Sequence, residues 1–251
     1  MIANERDMQA LVATSLRDTG LFDKVHFEYR VPVALFKKRL VDEGVIDDIN
    51  DDCNPAFPWP NSSNFFLDIV VEKDGEFVPI ELKYGTRSVD HNYSLFNQDF
   101  SNEPPTVRNR IVLLNNQAAS DLVMYNYWKD VRRLEVATRL FDNVVGGLAV
   151  IMANPPSYWQ PPKETANYQN FSTHDGNTVG PGLLEWGLGI GEHIRQSYPA
   201  FVLDSSYPCR WSPTNINCQR NSRPEMFQFL ISAIGDMAEK SEPHQIENIT
   251  N

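Results

Sequence analysis

Two segments in which hydrophobic and polar residues alternate flank Asp74-Gly75, and together they predict a β-hairpin. Residues 65–72 precede the turn and residues 77–84 follow it, and both segments are rich in β-branched and aromatic side chains. Asp-Gly between two such segments is a strong hairpin signal, because the tight turn needs residues that tolerate positive φ angles. Since side chains alternate between the two faces of a strand, one face of the hairpin is predicted to be entirely apolar. It comprises Leu67, Ile69, Val71, Val78, Ile80 and Leu82.

The opposite face of this hairpin concentrates charge. With Asp74 and Gly75 as the central turn residues, Asp68 is predicted to lie opposite Glu81, and Lys83 follows two residues later on the same face. Two carboxylates paired across strands repel each other, and a divalent cation, which prefers oxygen ligands, would offset that cost. The alternative is an ordinary surface hairpin in which Lys83 forms salt bridges with both acids. The compactness of the charged trio favours a catalytic role.

The pattern on either side of the hairpin predicts further elements in a definite order. A helix with Asn4 as its N-cap has apolar or small residues at helical spacing, namely Met8, Leu11, Val12, Ser15 and Leu16. Pro32 ends an alternating strand before the hairpin, and a long helix and a buried strand come after it. The predicted core is therefore helix, strand, hairpin, helix and strand, over residues 4–18, 25–31, 65–84, 115–142 and 144–152.

The C-terminal part of the chain gives fewer signals. Asp175-Gly176 predicts a second hairpin within residues 171–179. Residues 201–204 and 226–231 are apolar enough to form strands that extend the sheet, although residues 226–231 could also be helical.

Length and composition fit one elaborated domain. A chain of 251 residues with 41% hydrophobic residues can bury a sizeable core. We predict a core over residues 1–152, an extension over residues 153–238 packed on the same domain, and a flexible polar tail over residues 239–251. No stretch is long and apolar enough to cross a membrane, the N-terminus is polar and charged, and the three Cys lack a metal-site spacing. These features favour a cytoplasmic protein.

The charged trio resembles the signature of the PD-(D/E)XK nuclease superfamily, which has the restriction-endonuclease-like fold. That signature is an Asp on one strand and Glu-x-Lys on the next, matched here by Asp68 and by Glu81-Leu82-Lys83; Leu67 stands where many members have Pro. The resemblance implies an α/β fold with an αβββαβ core, in which helices flank a central mixed sheet, and Mg²⁺-dependent hydrolysis of phosphodiester bonds. The predicted order of elements over residues 1–152 agrees with this core.

The resemblance also assigns roles to the matching residues. Asp68, Glu81 and the carbonyl of Leu82 would hold Mg²⁺, with Mn²⁺ as a substitute, and Lys83 would help to activate water and to balance charge on the phosphate.

Superfamily members often carry an acid near the start of their first helix. Glu5 has this position, and Glu28 on the first strand is the second choice. Glu5 is equally well explained as an acid in the first turn that complements the helix dipole.

The long helix contains a further candidate and several charges. Some superfamily members carry Gln-x-x-x-Tyr on the corresponding helix, whereas here Gln117 is followed four residues later by Asp121, with Tyr125 a further turn on. Gln117 matches the Gln of this motif although the Tyr does not match, and we treat it as a candidate catalytic residue. The other charges, Asp121, Lys129, Asp130 and Arg133, are predicted to form a solvated face with i, i+4 ion pairs. Residues 126–135 are also similar to uncharacterised bacterial proteins of the superfamily.

Net charge argues against a nuclease. The formal charge is −11 and the isoelectric point is near 4.9, whereas nucleic-acid binding depends on neutralising phosphates with Lys and Arg. Six acids without a base lie within residues 42–52, while bases concentrate in residues 37–39, 129–139 and 210–223. Either such a segregated field binds nucleic acid through one face, or a partner protein supplies most of the DNA affinity.

The sequence thus predicts a metal-dependent nuclease that hydrolyses nucleic-acid phosphodiester bonds, with DNA as the expected substrate. The alternative is a noncatalytic binding or assembly module that retains the nuclease fold. Intact Asp68, Glu81 and Lys83 favour the enzyme, and the acidic composition favours the module.

Overall fold

The structure is a computed structural model that describes residues 4–42, 64–86, 94–95, 98–108, 119–220 and 223–235. The helices are α1 (Glu5–Asp18), α2 (Val33–Asp42), α3 (Pro105–Arg108), α4 (Ser120–Leu140) and α5 (Glu192–Ser197), with short 3₁₀ turns at Pro156–Tyr158 and Gln169–Phe171. The strands are β1 (Lys24–Pro32), β2 (Asn64–Lys73), β3 (Glu76–Gly85), β4 (Ser94–Leu95), β5 (Gln98–Asp99), β6 (Gly146–Ala153), β7 (Thr178–Val179), β8 (Gly182–Leu184), β9 (Phe201–Leu203), β10 (Tyr207–Pro208), β11 (Ser212–Arg220) and β12 (Arg223–Gly235).

A six-stranded mixed sheet in the order β1-β2-β3-β6-β12-β11 forms the centre of the fold. β1, β2 and β3 are antiparallel neighbours, β3 pairs with β6 in parallel, and β12 and β11 continue antiparallel from β6. The parallel step from β3 to β6 includes α4, as parallel neighbours require a crossover connection. The prediction of a mixed α/β fold with a central mixed sheet is confirmed.

Helices cover both faces of this sheet. On one face, Met8 and Ala13 of α1 pack with Ile69, Ile80 and Leu82 of the hairpin. On the other face, α2 and α4 pack over a larger cluster of buried apolar side chains. The hairpin therefore lies between two hydrophobic layers, and a polar group on it must find partners on α1, on α4 or at the end of the sheet.

The first helix begins where the sequence predicts it. The side chain of Asn4 accepts a hydrogen bond from the main-chain N–H of Asp7 at 2.9 Å, which satisfies one of the otherwise unpaired N–H groups of the first turn. The predicted apolar stripe is wrong at Leu11, which is 51% exposed, and the polar Gln9 is buried in its place. Gln9 is buried because its amide is bonded within the site described below.

An irregularity in β2 at Asp68 changes the predicted faces of the hairpin. Ile69 and Val71 face α1 as predicted, but Leu67 joins the cluster beneath α2 and α4 together with Val70. Opposite Asp68, Glu28 of β1 has a φ angle of 46°, and the β1–β2 pairing skips this position. Regular alternation therefore stops at Asp68.

Two features outside the hairpin differ from the sequence predictions. α2 follows Pro32 directly and was not predicted; it forms because Phe36 and Leu40, one turn apart, are fully buried. No hairpin forms over residues 171–179: Asp175-Gly176 is a turn, but Thr178–Val179 pairs with Tyr207–Pro208.

The two predicted C-terminal strands have different outcomes. Residues 201–203 form a strand, but it pairs with Gly182–Leu184 in a separate two-stranded sheet and does not extend the central one. Residues 226–231 form part of β12, a strand of the central sheet, so the helical alternative is wrong.

The C-terminal extension is attached to α4 by a buried carboxylate. Glu135 accepts hydrogen bonds from Arg132 on its own helix, from the main-chain N–H groups of Asp204 and Ser205, and from the Tyr207 hydroxyl, at 2.9–3.0 Å. Asp204 in turn forms an ion pair with Arg132 at 2.6 Å. Four donors satisfy Glu135, so this buried charge fixes the extension to the helix.

None of the helices in the described ranges is long and apolar enough to span a membrane.

Candidate active site

The hairpin register agrees with the prediction over the residues that pair. Ile69 lies opposite Ile80 and Lys73 opposite Glu76, with Asp74 and Gly75 in the turn at φ angles of 52° and 83°. The ladder ends at the Ile69–Ile80 pair, one position before Asp68 and Glu81. The strands separate at this point, and the main-chain groups there bond to side chains.

Asp68 is held by hydrogen bonds to side chains and main chain in place of regular pairing between β2 and β3. Its Oδ2 accepts a hydrogen bond from the Leu82 N–H at 2.7 Å, and its own carbonyl accepts one from Gln9 Nε2 at 2.6 Å. The second contact explains why Gln9 is buried on α1. Asp68 is therefore fixed against both the neighbouring strand and the first helix.

Lys83 lies at the centre of a group of acids. Its Nζ is 2.6 Å from Asp130 Oδ2 on α4, 3.0 Å from the Leu82 carbonyl and 4.0 Å from Glu5 Oε1 on α1. The side chain of Asp130 is 2% exposed, while that of Lys83 is 18% exposed. The ammonium group thus joins the two helices to the end of β3.

Glu5 and Glu28, the two candidates for the upstream acid, occupy different positions. Glu5 Oε2 accepts a hydrogen bond from the Tyr84 N–H at 3.2 Å, which places its carboxylate at the end of β3 beside Lys83. Glu28 is exposed on β1, and its Oε1 accepts a hydrogen bond from Gln9 Nε2 at 3.2 Å. The structure therefore brings Glu5 together with Asp68, Glu81 and Lys83, and connects Glu28 to them only through Gln9.

Burial raises the pKa of each of the three nearby acids, Glu5, Asp68 and Glu81. For Asp68, the charge of Lys83, the Leu82 N–H and the neighbouring Glu81 side chain act in the opposite direction. Asp68 and Glu81 each affect the pKa of the other, so their carboxyl groups lie near each other. Glu81 has the strongest upward shift in pKa, because it is buried and lies near Asp130.

Asp130 and Lys83 stabilise each other's charged forms. Burial alone would raise the pKa of Asp130, but Lys83, Arg133 and Lys129 together hold it below its ordinary value. Burial alone would lower the pKa of Lys83, but the carboxylates, Asp130 first and then Glu5, raise it above its ordinary value. Both groups are therefore charged at neutral pH.

The metal-ligand prediction can be compared with the donors present. Glu81 is 3% exposed, and its Oε1 has no hydrogen-bond partner in the described part of the chain. The Leu82 carbonyl accepts a hydrogen bond from Lys83, which leaves one of its two lone pairs. Across the described residues, no group of three or more His, Cys, Asp or Glu side chains is arranged to hold a metal ion. The donor set is therefore two adjacent carboxylates and one main-chain carbonyl.

The α4 charges contradict the prediction of a solvated face. Asp130 is buried, Arg133 is 12% exposed at its side chain, and Arg133 Nη1 donates to Asp130 Oδ1 at 3.0 Å. Lys129 is half-buried beside them. These residues are covered because α4 has the central sheet on one side and Phe171, Trp186 and Phe201 of the extension against Tyr125 on the other.

The site is separate from an apolar cavity found among the described residues. That cavity has a volume of about 330 Å³ and is lined by side chains that include Tyr29, Leu67, Val70, Phe77 and Phe141. None of the charged residues around Lys83 lines it. The candidate site instead lies where β2 and β3 separate, and the side chain of Glu5 beside it is 41% exposed.

Three predictions fall where the structure gives no description, and one of them is the flexible polar tail over residues 239–251. Gln117 lies outside the described residues, as does all of the acidic segment 42–52 except Asp42, the last residue of α2.

In comparisons with known proteins, no family model, curated protein or solved structure shows a significant match to this chain.

Proposed function

We propose that the protein is a metal-dependent nuclease that hydrolyses nucleic-acid phosphodiester bonds, with DNA as the expected substrate, and that its fold is restriction-endonuclease-like. The observation that carries this proposal is the adjacency of Asp68 and Glu81, with Lys83 on the same strand and Glu5 reaching the group from α1. Apart from the intervening α2, β4, β5 and α3, the elements follow the order α1, β1, β2, β3, α4, β6, with the last strand parallel to β3, which supports the αβββαβ interpretation.

The residues present are suited to one hard divalent cation. Mg²⁺ is usually held by one or two carboxylates and keeps several waters, so Asp68, Glu81 and the remaining lone pair of the Leu82 carbonyl are a sufficient protein contribution. The unpartnered Oε1 of Glu81 is a second argument, because a buried carboxylate oxygen without a donor is costly unless it is protonated or bound to a cation. When bound, the cation supplies Lewis acidity toward a phosphoryl oxygen and toward water.

The protein side chains have distinct tasks in the proposed reaction. Asp68 and Glu81 hold the cation, and the Leu82 N–H fixes the orientation of Asp68. Lys83 presents a permanent positive charge that stabilises the negative charge developing on the phosphate. Asp130 prevents Lys83 from moving away by holding its Nζ from the opposite side. Glu5 adds a partly exposed carboxylate at the entrance to the site.

A cleavage assay on single- and double-stranded DNA and RNA, with and without Mg²⁺, tests this proposal. Asp68→Ala, Glu81→Ala and Lys83→Ala should each remove most of the cleavage, and their effects should not add, because the three residues act as one unit. Glu72→Ala is the matched control, since Glu72 is also an acid of this hairpin but pairs with Lys24 at 2.9 Å at its far end. It should cleave like the wild type.

Thermal stability gives an independent measurement. A ligand that binds the folded state stabilises it by about 2.7 kcal/mol at a concentration of 100 times its Kd, so Mg²⁺ should raise the Tm of the wild type but not that of Asp68→Ala. If the wild type shows neither cleavage nor stabilisation by Mg²⁺, the nuclease proposal is refuted in favour of the noncatalytic binding or assembly module.

A further inference from the structure

The face of α4 that borders the acids carries an excess of positive charge. Lys129 and Arg133 lie one turn apart on this face, with Asp130 beside both. Asp130 is already paired with Lys83 at 2.6 Å, so it neutralises only part of the charge of its two helix neighbours. Lys129 and Arg133 are thus two largely covered cations whose charge Asp130 does not fully neutralise.

Arg133 uses few of its hydrogen-bond donors. A guanidinium has five N–H groups, and in the described part of the chain the one hydrogen bond that Arg133 donates is from Nη1 to Asp130. Its Nε has no partner there, and its carbon Cζ lies 5.4 Å from the centroid of the Phe65 ring, which restricts the guanidinium. The buried Nε is not accessible to a ligand, but the remaining N–H groups of Nη1 and Nη2 lie side by side on a restrained guanidinium, which suits an oxyanion that accepts two hydrogen bonds.

Lys129 lacks an anionic partner in the same region. Its Nζ donates to the neutral Asn126 side chain at 2.7 Å, and it forms no ion pair with any carboxylate of the described residues. Burial lowers its pKa to about 8; Asp130 acts in the opposite direction, and Arg133 and Lys83 add to the lowering. Most molecules still carry the charge at neutral pH, so an anion that reaches this position gains a strong interaction.

We infer that Lys129 and Arg133 form a phosphate subsite beside Asp68 and Glu81, which binds a backbone phosphate of the nucleic acid. Arg pairs with phosphate through two hydrogen bonds and Lys through its point charge, so the two side chains complement each other. Identification of the phosphate as part of a nucleic acid rests on the proposed nuclease function. A local excess of positive charge also explains how a chain with a net charge of −11 binds a polyanion.

Binding without cleavage is the direct test. The full-length chain is mixed with labelled single- and double-stranded DNA in EDTA, and Kd is measured by fluorescence anisotropy at several salt concentrations. Lys129→Met and Arg133→Gln should each weaken binding by about fivefold or more and reduce the slope of log K against log salt by about 0.7–0.9, the contribution of one phosphate contact.

Two matched variants control for net charge. Lys73→Met makes the same change at an exposed residue beside the hairpin turn, and Arg17→Gln makes the same change at an exposed residue in the last turn of α1. Both should leave the salt slope unchanged and alter Kd by less than about twofold. Lys129→Arg keeps the charge and should keep the slope. Lys129→Met should fold, because it removes a half-buried charge and retains an unbranched side chain, and circular dichroism checks this.

Each result decides between the two proposals. The subsite is overturned if the wild type binds neither form of DNA, or if Lys73→Met reduces the slope as much as Lys129→Met does. A slope difference without Mg²⁺-dependent cleavage refutes the nuclease and leaves the phosphate subsite standing. Cleavage without a slope difference refutes the subsite alone.

Discussion

Substitution of Asp130 measures how much a buried ion pair contributes to the free energy of unfolding of this protein. Asp130→Asn removes one charge from the ion pair with Lys83 and leaves the ammonium, 18% exposed at its side chain, without its nearest anion. Breaking a buried pair in this way costs about 3–5 kcal/mol, because the remaining charge is desolvated and uncompensated. For a chain of this size, a loss of about 3 kcal/mol lowers the Tm by about 6–12 °C.

An exposed ion pair of almost the same length supplies the control. Lys38 and Asp42 of α2 are 2.7 Å apart, but their side chains are 65% and 49% exposed. Asp42→Asn should therefore cost about 0.5 kcal/mol or less, since solvent screens the pair. The two distances differ by 0.1 Å, so the difference in cost measures burial.

The assay is urea unfolding in EDTA, followed by tryptophan fluorescence and circular dichroism. Lys83→Met combined with Asp130→Asn should recover at least half of the stability that Asp130→Asn alone loses, because the uncompensated ammonium is gone. A cost for Asp130→Asn below about 1 kcal/mol, the usual limit for exposed pairs, would refute the argument. So would a double variant that is less stable than Asp130→Asn.

Three further predictions concern stability. The folded state raises the pKa of Glu81 above 4.5, mainly through burial, so the stability of the wild type should fall as the pH rises through that pKa. In Tm measurements without metal, Glu81→Gln should show a smaller fall over the same pH range. Parallel curves of Tm against pH for the two proteins would contradict this. Glu135→Ala deprives four donors of their acceptor and should cost about 3–5 kcal/mol in urea unfolding, whereas a loss near zero would show that water replaces the carboxylate. Gly85→Ala would place a Cβ 2.5 Å from the ring of the buried Tyr158 and should cost about 1–3 kcal/mol, so an unchanged Tm would mean that the ring moves freely.

The parts of the fold that were predictable depend on local signals. Asn4 caps α1 through a contact three residues away, and Asp74-Gly75 sets the turn through its own φ angles. Neither requires knowledge of distant residues. α2 also had a usable signal, because its buried residues Phe36 and Leu40 are one turn apart.

Asp130 shows why the site was only partly predictable. Charges at i, i+4 spacing on a helix usually face solvent, and that rule fails here because α4 is covered on two sides. The sequence did contain a signal against a solvated face. Tyr125, Tyr127 and Trp128 point in different directions around the helix, so a narrow buried face cannot contain all three. A helix that is apolar around most of its circumference buries its charges as well.

The position of β6 has a consequence for how the chain folds during synthesis. β6 pairs with β3 on one side and with β12 on the other, and β12 ends at Gly235, more than eighty residues after β6 begins. On the ribosome, β1, β2, β3 and α4 are available to assemble around β6 while its other edge still exposes unpaired N–H and C=O groups. Such an edge is a template for pairing with another nascent chain. Pairing of β12 with β6 therefore removes an aggregation-prone edge once synthesis reaches Gly235, in addition to completing the sheet.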